Sequence, residues 1–378
     1  MTEDAAGLYV HLPYCRSRCG YCAFVVTTDE SGRTEYLAAL AREAEIVSSE
    51  TSGRKFDSLY IGGGTPSLVP AGDLSALVSE LRKRFALEDA AEVTLEANPE
   101  DVTAGKCDAW KSSGVNRLSL GVQSLEDAEL AAVGRRHDAA GARRALDRLV
   151  ESELSVSADL ILGLPDQSAA SFRRNVEGIG ASGVEHLSIY LLETEKSRSI
   201  EEDRRAHPGR YLSDDEQADA WLEAGESLAA RGFLHYEISN WARPGREARH
   251  NVKYWTRTPT LGLGVSAHEL WDGRRRANVS AIVPYVTTLS EGRRPLALDQ
   301  PVGEAEAARE RIVLGLRLSD GVPAGEIEAW IESEGDALLA GDYRAWFEAG
   351  LLSRENDGRV RFTERGFLLS NEILCRFV

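Results

Sequence analysis

Short apolar runs recur along the first 240 residues, alternating with stretches in which apolar side chains return every three or four positions. Brief runs rich in Val, Ile and Leu suit strands buried on both faces, while the longer repeat marks helices that lay one stripe on a sheet. The strand candidates are Leu8–Leu12, Ser58–Gly62, Glu92–Ala97, Arg117–Val122, Val156–Gly163, Leu187–Leu192 and His235–Ser239. Between them, Leu37, Leu40, Ala44 and Val47 share one face of a helix over 34–48. Ser213 and Glu216 form a capping box for another helix, ending near Gly232. Six or seven consecutive βα units predict an α/β fold whose parallel sheet curls into a partial (β/α)6-type barrel over residues 1–240.

After about residue 245 the alternation stops, and the segment 241–302, rich in Arg, Pro, Gly and aromatics, reads as an irregular extension of the barrel. From 303 to 378 the pattern predicts helices at Ala305–Leu316, Ala324–Glu332 and Asp342–Ala349. A hairpin follows, Leu351–Arg354 with Arg359–Phe362, turning at Asn356-Asp357-Gly358, and Thr363 caps a last helix. This order makes a small winged-helix-like module. Such modules often bind DNA, but the mixed charge of this tail favours a structural lid.

In a barrel of parallel strands, function gathers at the C-terminal strand ends. Cys15, Cys19 and Cys22 follow the first strand, Gly62-Gly63-Gly64-Thr65 the second, and Glu96 ends the third. Gln123 and Asp159 lie in or just after later strands. A C-x3-C-x2-C loop can offer three thiolates to an iron-sulfur cluster and leave one of four irons open. The alternative is a zinc site completed by His11 or a distant residue, although zinc ribbons pair two C-x2-C halves and the chain has no second half. Tyr14, Tyr21 and Phe24 surround the thiols, as a screen against water or as ordinary packing.

The glycine run lacks Walker or Rossmann spacing. It forms either a tight turn or a place where a small polar ligand touches free backbone amides. Glu96, Gln123, Arg135 and Asp159 make a ring suited to a zwitterionic, hydroxyl-bearing ligand: carboxylates for an ammonium or a ribose diol, Arg for a carboxylate. His250-Asn251-x-x-Tyr254-Trp255 sets an exposed-looking imidazole beside two large aromatics. Imidazole is a common axial ligand of haem iron and flat side chains stack on macrocycles; the competing reading is a capped turn with Tyr and Trp in the core. His268, in the Gly-rich turn 262–268, is placed to approach a cofactor, whereas Cys107 and Cys375 on helical patterns read as packing.

With 44 basic against 61 acidic residues, the net charge of −17 disfavours a nucleic-acid backbone as partner, and Arg274–Arg276 reads as a solvated face. Five cysteines, three of them within eight residues, and no charged-then-apolar leader argue against a secreted disulfide framework and for the cytoplasm. No apolar run approaches the roughly 18 residues of a membrane span, which leaves at most peripheral membrane contact.

The segments Tyr9–Phe24, Ile61–Leu68, Leu95–Glu100, Gly114–Ser124 and Asp159–Gln167 occur in the order of a known set of motifs. Over nearly its whole length the chain resembles the radical S-adenosylmethionine superfamily, and within it the HemN/HemW group. The resemblance implies that Cys15, Cys19 and Cys22 hold a 4Fe-4S cluster. It implies further that Tyr9, Gly63 or Gly64, Thr65, Glu96, Gln123, Arg135 and Asp159 contact S-adenosylmethionine, whose sulfonium the cluster would cleave to a 5′-deoxyadenosyl radical. Oxygen-independent coproporphyrinogen oxidases of the group carry a longer N-terminal arm and a fourth cysteine two positions beyond the third, where this chain has Phe24. The His250 motif is similar to one tied to haem binding in the group's haem chaperones. The resemblance therefore implies a protein that binds haem and delivers it to haem-accepting respiratory proteins, and it allows a homodimer. The alternative is a radical oxidative decarboxylase of coproporphyrinogen. One departure is Gly20-Tyr21-Cys22-Ala23-Phe24, where the family often has Pro-Tyr-Cys-Asp-Phe; the missing carboxylate bears on loop rigidity or potential.

Overall fold

The structure is a computed structural model and describes residues 5–51 and 53–378. Six parallel strands stand side by side in chain order: β1 (Ala6–Leu12), β2 (Lys55–Gly63), β3 (Ala86–Ala97), β4 (Arg117–Gln123), β5 (Ser155–Leu162) and β6 (His186–Leu191). Each of the first five is followed by at least one helix on its way to the next strand. Leu8, Val10, Leu59, Ile61, Val93, Leu95, Leu118 and Leu160 are fully buried along these strands. At roughly 1.5–3 kcal/mol per buried side chain, such a row fixes the register of the sheet.

The helix Arg33–Ser48 buries Tyr36, Ala39, Leu40, Glu43, Ala44 and Val47, with Leu37 at the edge of the stripe rather than in it. Both halves of the capping box between Ser213 and Glu216 are formed at the start of the helix Asp214–Ala229.

The seventh strand candidate does not continue the parallel series. Its residues form β7 (Leu234–Glu237), which pairs antiparallel with β8 (Asn240–Ala242), and β8 pairs antiparallel with β6. The turn between them is too short for a crossover, so the chain can only double back. On the other side, the segment that showed no periodicity supplies β9 (Thr260–Leu263), parallel to β1, and then an antiparallel run of β10 (His268–Trp271), β11 (Arg274–Asn278) and β12 (Leu296–Pro301). The result is an open mixed sheet with β12 and β7 at its edges. Arg274, Arg275 and Arg276 on β11 are paired to Asp299, to Glu306 and Glu310, and to Glu269 and Asp299 respectively, so they are a laced strand and not simply a solvated face.

The C-terminal residues fold as helices Glu304–Gly315, Ala324–Glu334 and Ala337–Glu348 with a small sheet of β13 (Val322–Pro323), β15 (Arg359–Phe362) and β14 (Leu352–Arg354). Thr363 caps the helix Glu364–Leu368 through the amide of Gly366. The module is fastened to the β7 edge: Glu237 bridges to Leu318, and His235 stacks on Trp241 at 4.3 Å while touching Phe367 at 4.6 Å. Among the described residues no helix is long and apolar enough to cross a membrane.

Candidate functional site

A cavity of about 1120 Å³ opens over the C-terminal ends of the parallel strands, and the cysteine loop forms part of its wall. The loop is pinched at its base, where the amide of Cys15 donates to the Thr27 carbonyl at 2.9 Å and the amide of Thr27 to that of Pro13 at 2.7 Å. Its tip is tied down through Gly20, whose amide donates to the Val133 carbonyl at 3.1 Å and whose carbonyl accepts from Ser197 and Ser199. Cys15, Cys19 and Cys22 all line the cavity. Burial pushes the Cys15 and Cys22 thiols up. Tyr21 and Phe24 line the cavity with them, Phe24 being 66% exposed, whereas Tyr14 is buried and does not line it, so only part of the expected aromatic screen reaches the cavity.

His11 does not complete a metal site. Its Nε2–H donates to the Val25 carbonyl at 2.9 Å, which leaves Nδ1 to accept from the Tyr9 hydroxyl at 3.0 Å. With both nitrogens engaged, the imidazole is a brace for the loop. Among the described residues no three Cys, His, Asp or Glu side chains are arranged to hold a single metal ion. A cubane instead takes each thiolate on a separate iron.

The glycine run packs against this loop more than it offers amides to a ligand. The Gly63 amide donates to Glu96 Oε2 at 2.9 Å, that of Gly64 to the Leu12 carbonyl at 2.8 Å and that of Thr65 to the Tyr14 carbonyl at 2.7 Å. The amides expected to be free are therefore taken. Gly63 has φ +114° and a Cβ there would lie 2.6 Å from the His11 ring, which explains the glycine by close approach as well as by backbone conformation. Gly63, Gly64 and Thr65 still line the cavity.

A hydrogen-bonded chain joins two of the cysteines across the strand ends. Thr65 Oγ1 donates to Cys15 Sγ at 3.4 Å and accepts from Asn98 Nδ2 at 3.2 Å. Arg135 donates to Asn98 Oδ1 at 2.8 Å, to the Gly121 carbonyl at 2.5 Å and to Cys19 Sγ at 3.7 Å. Its guanidinium is thus largely spent on the protein, with Nε unpartnered, instead of standing open for a ligand carboxylate.

The remaining ring members keep acceptors for something else. Gln123 holds a left-handed φ of 66° at an irregularity in the β4–β5 ladder, and its buried Oε1 has no hydrogen-bond partner among the described residues. Strain of this kind in a non-glycine residue collects at ligand sites. Asp159 accepts from Ser119 at 3.0 Å through Oδ2, while its buried Oδ1, on the side of Ser188, makes no hydrogen bond of normal geometry among the described residues. Glu96 accepts from the Tyr60 hydroxyl at 2.8 Å and from Gly63, and among the described residues it forms no ion pair. Burial pushes Glu96 up to about 7 and Asp159 up to about 6. These groups await positive charge or hydrogen-bond donors, and the three thiols beside them are soft donors for iron; the residues fit a cluster and a cationic, hydroxyl-bearing ligand.

His250 differs from its expected exposure. It is 1% exposed at the start of the helix Arg249–Thr256, with its backbone amide donating to Glu92. Nδ1 lies 3.0 Å from Ser58 Oγ and Nε2 2.9 Å from the Tyr254 hydroxyl, and the ring stacks on Tyr60 at 5.4 Å. Burial, with Lys253 nearby, pulls it down to about 3, so it is neutral. A ring with both nitrogens hydrogen-bonded offers iron no lone pair until one contact is released. His250, Tyr254 and Trp255 nonetheless all line the cavity. His268 is exposed outside it, and Gly264 of its turn packs against the backbone of His11, so that turn supports β1 and does not approach the site. Cys107 is buried packing, but Cys375 is exposed.

Residues 9–177 match the radical SAM superfamily and residues 303–369 the HemN C-terminal domain. A heme chaperone HemW of Mycobacterium tuberculosis (strain H37Rv) is 33% identical over 381 residues, covering 99% of this chain and 95% of the relative. The chain belongs to the HemN/HemW group of the radical SAM superfamily. A heme chaperone HemW of Bacillus subtilis (strain 168) is 30% identical, covering 98% of each chain. The fold agrees with that of the coproporphyrinogen III oxidase HemN from Escherichia coli, with a TM-score of 0.84 at 23% identity over 99% of this chain and 90% of that one.

In this member of the HemN/HemW group several cavity residues carried no sequence signal of their own. Tyr60 and Ser119 orient the buried carboxylates from mid-strand positions that read as core. Tyr190 and Leu191, at the end of β6, are 43% and 50% exposed and line the cavity with Phe24 and Tyr254. Four large apolar side chains turned toward one cavity make an apolar wall beside the polar ring. The exposed apolar end of β6 was the available clue to it.

Proposed function

We propose that the chain is a cytoplasmic haem chaperone that binds haem in this cavity and passes it to respiratory haem proteins. The observation that carries the reading is the joining, in one cavity, of the cysteine loop and carboxylate ring to the apolar wall of Phe24, Tyr190, Leu191 and Tyr254. The amino, carboxylate and ribose groups of S-adenosylmethionine call on the polar ring and its adenine on some apolar contact; a macrocycle calls on an apolar wall larger than one base covers. The full-length similarity to proteins named heme chaperone HemW supports the same reading.

Cys15, Cys19 and Cys22 would hold a 4Fe-4S cluster, and Tyr9, Gly63, Gly64, Thr65, Glu96, Gln123, Arg135 and Asp159 would surround S-adenosylmethionine beside it. When bound, the pair supplies one-electron cleavage of a sulfonium. The chain's own part is to bind and orient: Glu96 and Asp159 place acceptors, Gln123 is held in a strained conformation that aims its amide, and Arg135 steadies Cys19. His250, Tyr254 and Trp255 would form the haem-facing wall, with Nε2 of His250 reaching iron only after the Tyr254 hydroxyl moves away. Residues 1–240, 241–302 and 303–378 would be the working divisions of the chain, the last closing the cavity.

The test is transfer. Protein loaded with haem under anaerobic conditions should pass it to the apo form of a respiratory haem protein. Anaerobic incubation of the cluster-loaded protein with S-adenosylmethionine and coproporphyrinogen should yield no protoporphyrinogen. Appearance of protoporphyrinogen with stoichiometric 5′-deoxyadenosine would replace this reading with that of an oxidative decarboxylase.

A further inference from the structure

The C-terminal module contributes its own part of the cavity wall, including Arg317, Phe367 and Asn371. Arg317 follows the helix Glu304–Gly315, and its backbone is locked to the β7 edge. Its carbonyl accepts from the Ile238 amide at 2.9 Å, its neighbour Leu318 bridges to Glu237, and the Ser319 amide donates to the Tyr236 carbonyl at 3.0 Å. The side chain therefore leaves a rigid base. Its guanidinium lies 5.7 Å from the Trp255 ring centroid, and one nitrogen donates to Asn371 Oδ1 at 3.3 Å.

Several arginines elsewhere in this chain are paired with carboxylates. Arg257 and Arg275 share Glu310, and Arg276 and Arg294 share Glu269. Arg317 forms no such pair among the described residues, although burial pulls its pKa down. A partly desolvated guanidinium with a single long hydrogen bond is costly unless an anion completes it. Glu237 nearby acts on Arg317 through charge but forms no ion pair with it among the described residues: Asn240 donates to its Oε1, its buried Oε2 has no hydrogen-bond partner, and burial pushes the carboxyl up to about 7, which leaves the guanidinium charge only partly balanced.

We propose that Arg317 anchors a carboxylate arm of the macrocycle, so that haem sits with a propionate toward the C-terminal module and its flat body against Tyr190, Leu191 and Tyr254. The inference rests on the haem reading above and adds an orientation and a polar contact to it. It also gives the C-terminal module a direct part in ligand recognition.

The experiment titrates anaerobically prepared wild type, Arg317→Gln and Arg317→Lys with haem and with haem dimethyl ester, whose arms carry no charge. Wild type should bind haem about tenfold or more tightly over the ester, as expected for a charge-assisted contact. The Gln variant should bind the two alike, and the Lys variant should keep part of the preference. Each protein is compared with itself on two ligands, so loss of folded material cancels. An ester penalty absent from wild type, or equal in wild type and Arg317→Gln, overturns the anchor and leaves haem binding standing. No saturable binding of either ligand by wild type overturns the haem reading itself, and the anchor with it.

Discussion

The hydroxyl of Tyr254 lies 2.9 Å from Nε2 of His250, one helical turn away, and closes the only ring nitrogen not held by Ser58. Any role of His250 toward iron is therefore an exchange, in which a tyrosine hydroxyl gives way to a metal. Breaking that contact costs about 1 kcal/mol. Tyr254→Phe should then tighten haem binding up to about fivefold and keep the Soret shift, while His250→Ala should weaken the shift markedly. An unchanged titration in His250→Ala would remove the histidine from the haem site.

The carboxylate ring should make S-adenosylmethionine affinity depend on pH. Glu96 is raised to about 7 and Asp159 to about 6, chiefly by burial, and only their ionised forms attract an ammonium or sulfonium. Affinity measured by calorimetry should rise with pH through about 6 to 7 and then level off. Glu96→Gln should lower the affinity and flatten the curve; the same pH dependence in that variant would contradict the assignment.

Stability should run the other way. Glu43, Glu96 and Glu237 are each pushed up to about 7 by burial. Between the ordinary carboxyl pKa and these values the unfolded chain gives up protons that the folded chain keeps. Folding stability contributed by these groups is thus present at low pH and lost as pH rises through about 7. Melting temperatures of the protein without cofactors should fall from about pH 5 to pH 7.5, and Glu96→Gln should shrink the fall. A slope identical to wild type would show that Glu96 is not raised.

Gly63→Ala tests the seating of the cysteine loop. The new Cβ would need a left-handed φ and would stand 2.6 Å from the His11 ring, displacing the brace between Tyr9 and Val25. The variant should purify with much less iron per chain and melt lower. Wild-type iron content together with a wild-type melting temperature would show that the close approach is unimportant.

Much of this was legible in the sequence because it depends on local pattern. Strand and helix periodicity, the Ser213 capping box and the Asn356-Asp357-Gly358 turn each act within a few residues, and the βα rhythm places Cys15 and Glu96 at strand ends and Asp159 within a strand. What was not legible depends on chain segments far apart. Strands β9 to β12 are four to six residues long and take their order from pairing with β1 and with one another, so no period announces them. His250 looked exposed because its neighbours are polar; its burial comes from Ser58, Tyr60 and Tyr9 on strands almost two hundred positions or more away. The glycine amides looked free because Glu96 and the carbonyls of Leu12 and Tyr14 are not neighbours in sequence. Arg317 had no motif at all.

Haem binding is tested most directly by a haem titration of the anaerobically purified, cluster-loaded protein, followed in the Soret region. A saturable shift at about one haem per chain is expected in protein that also carries about four irons and four sulfides. A linear, unsaturated absorbance rise in protein that holds its cluster would contradict it.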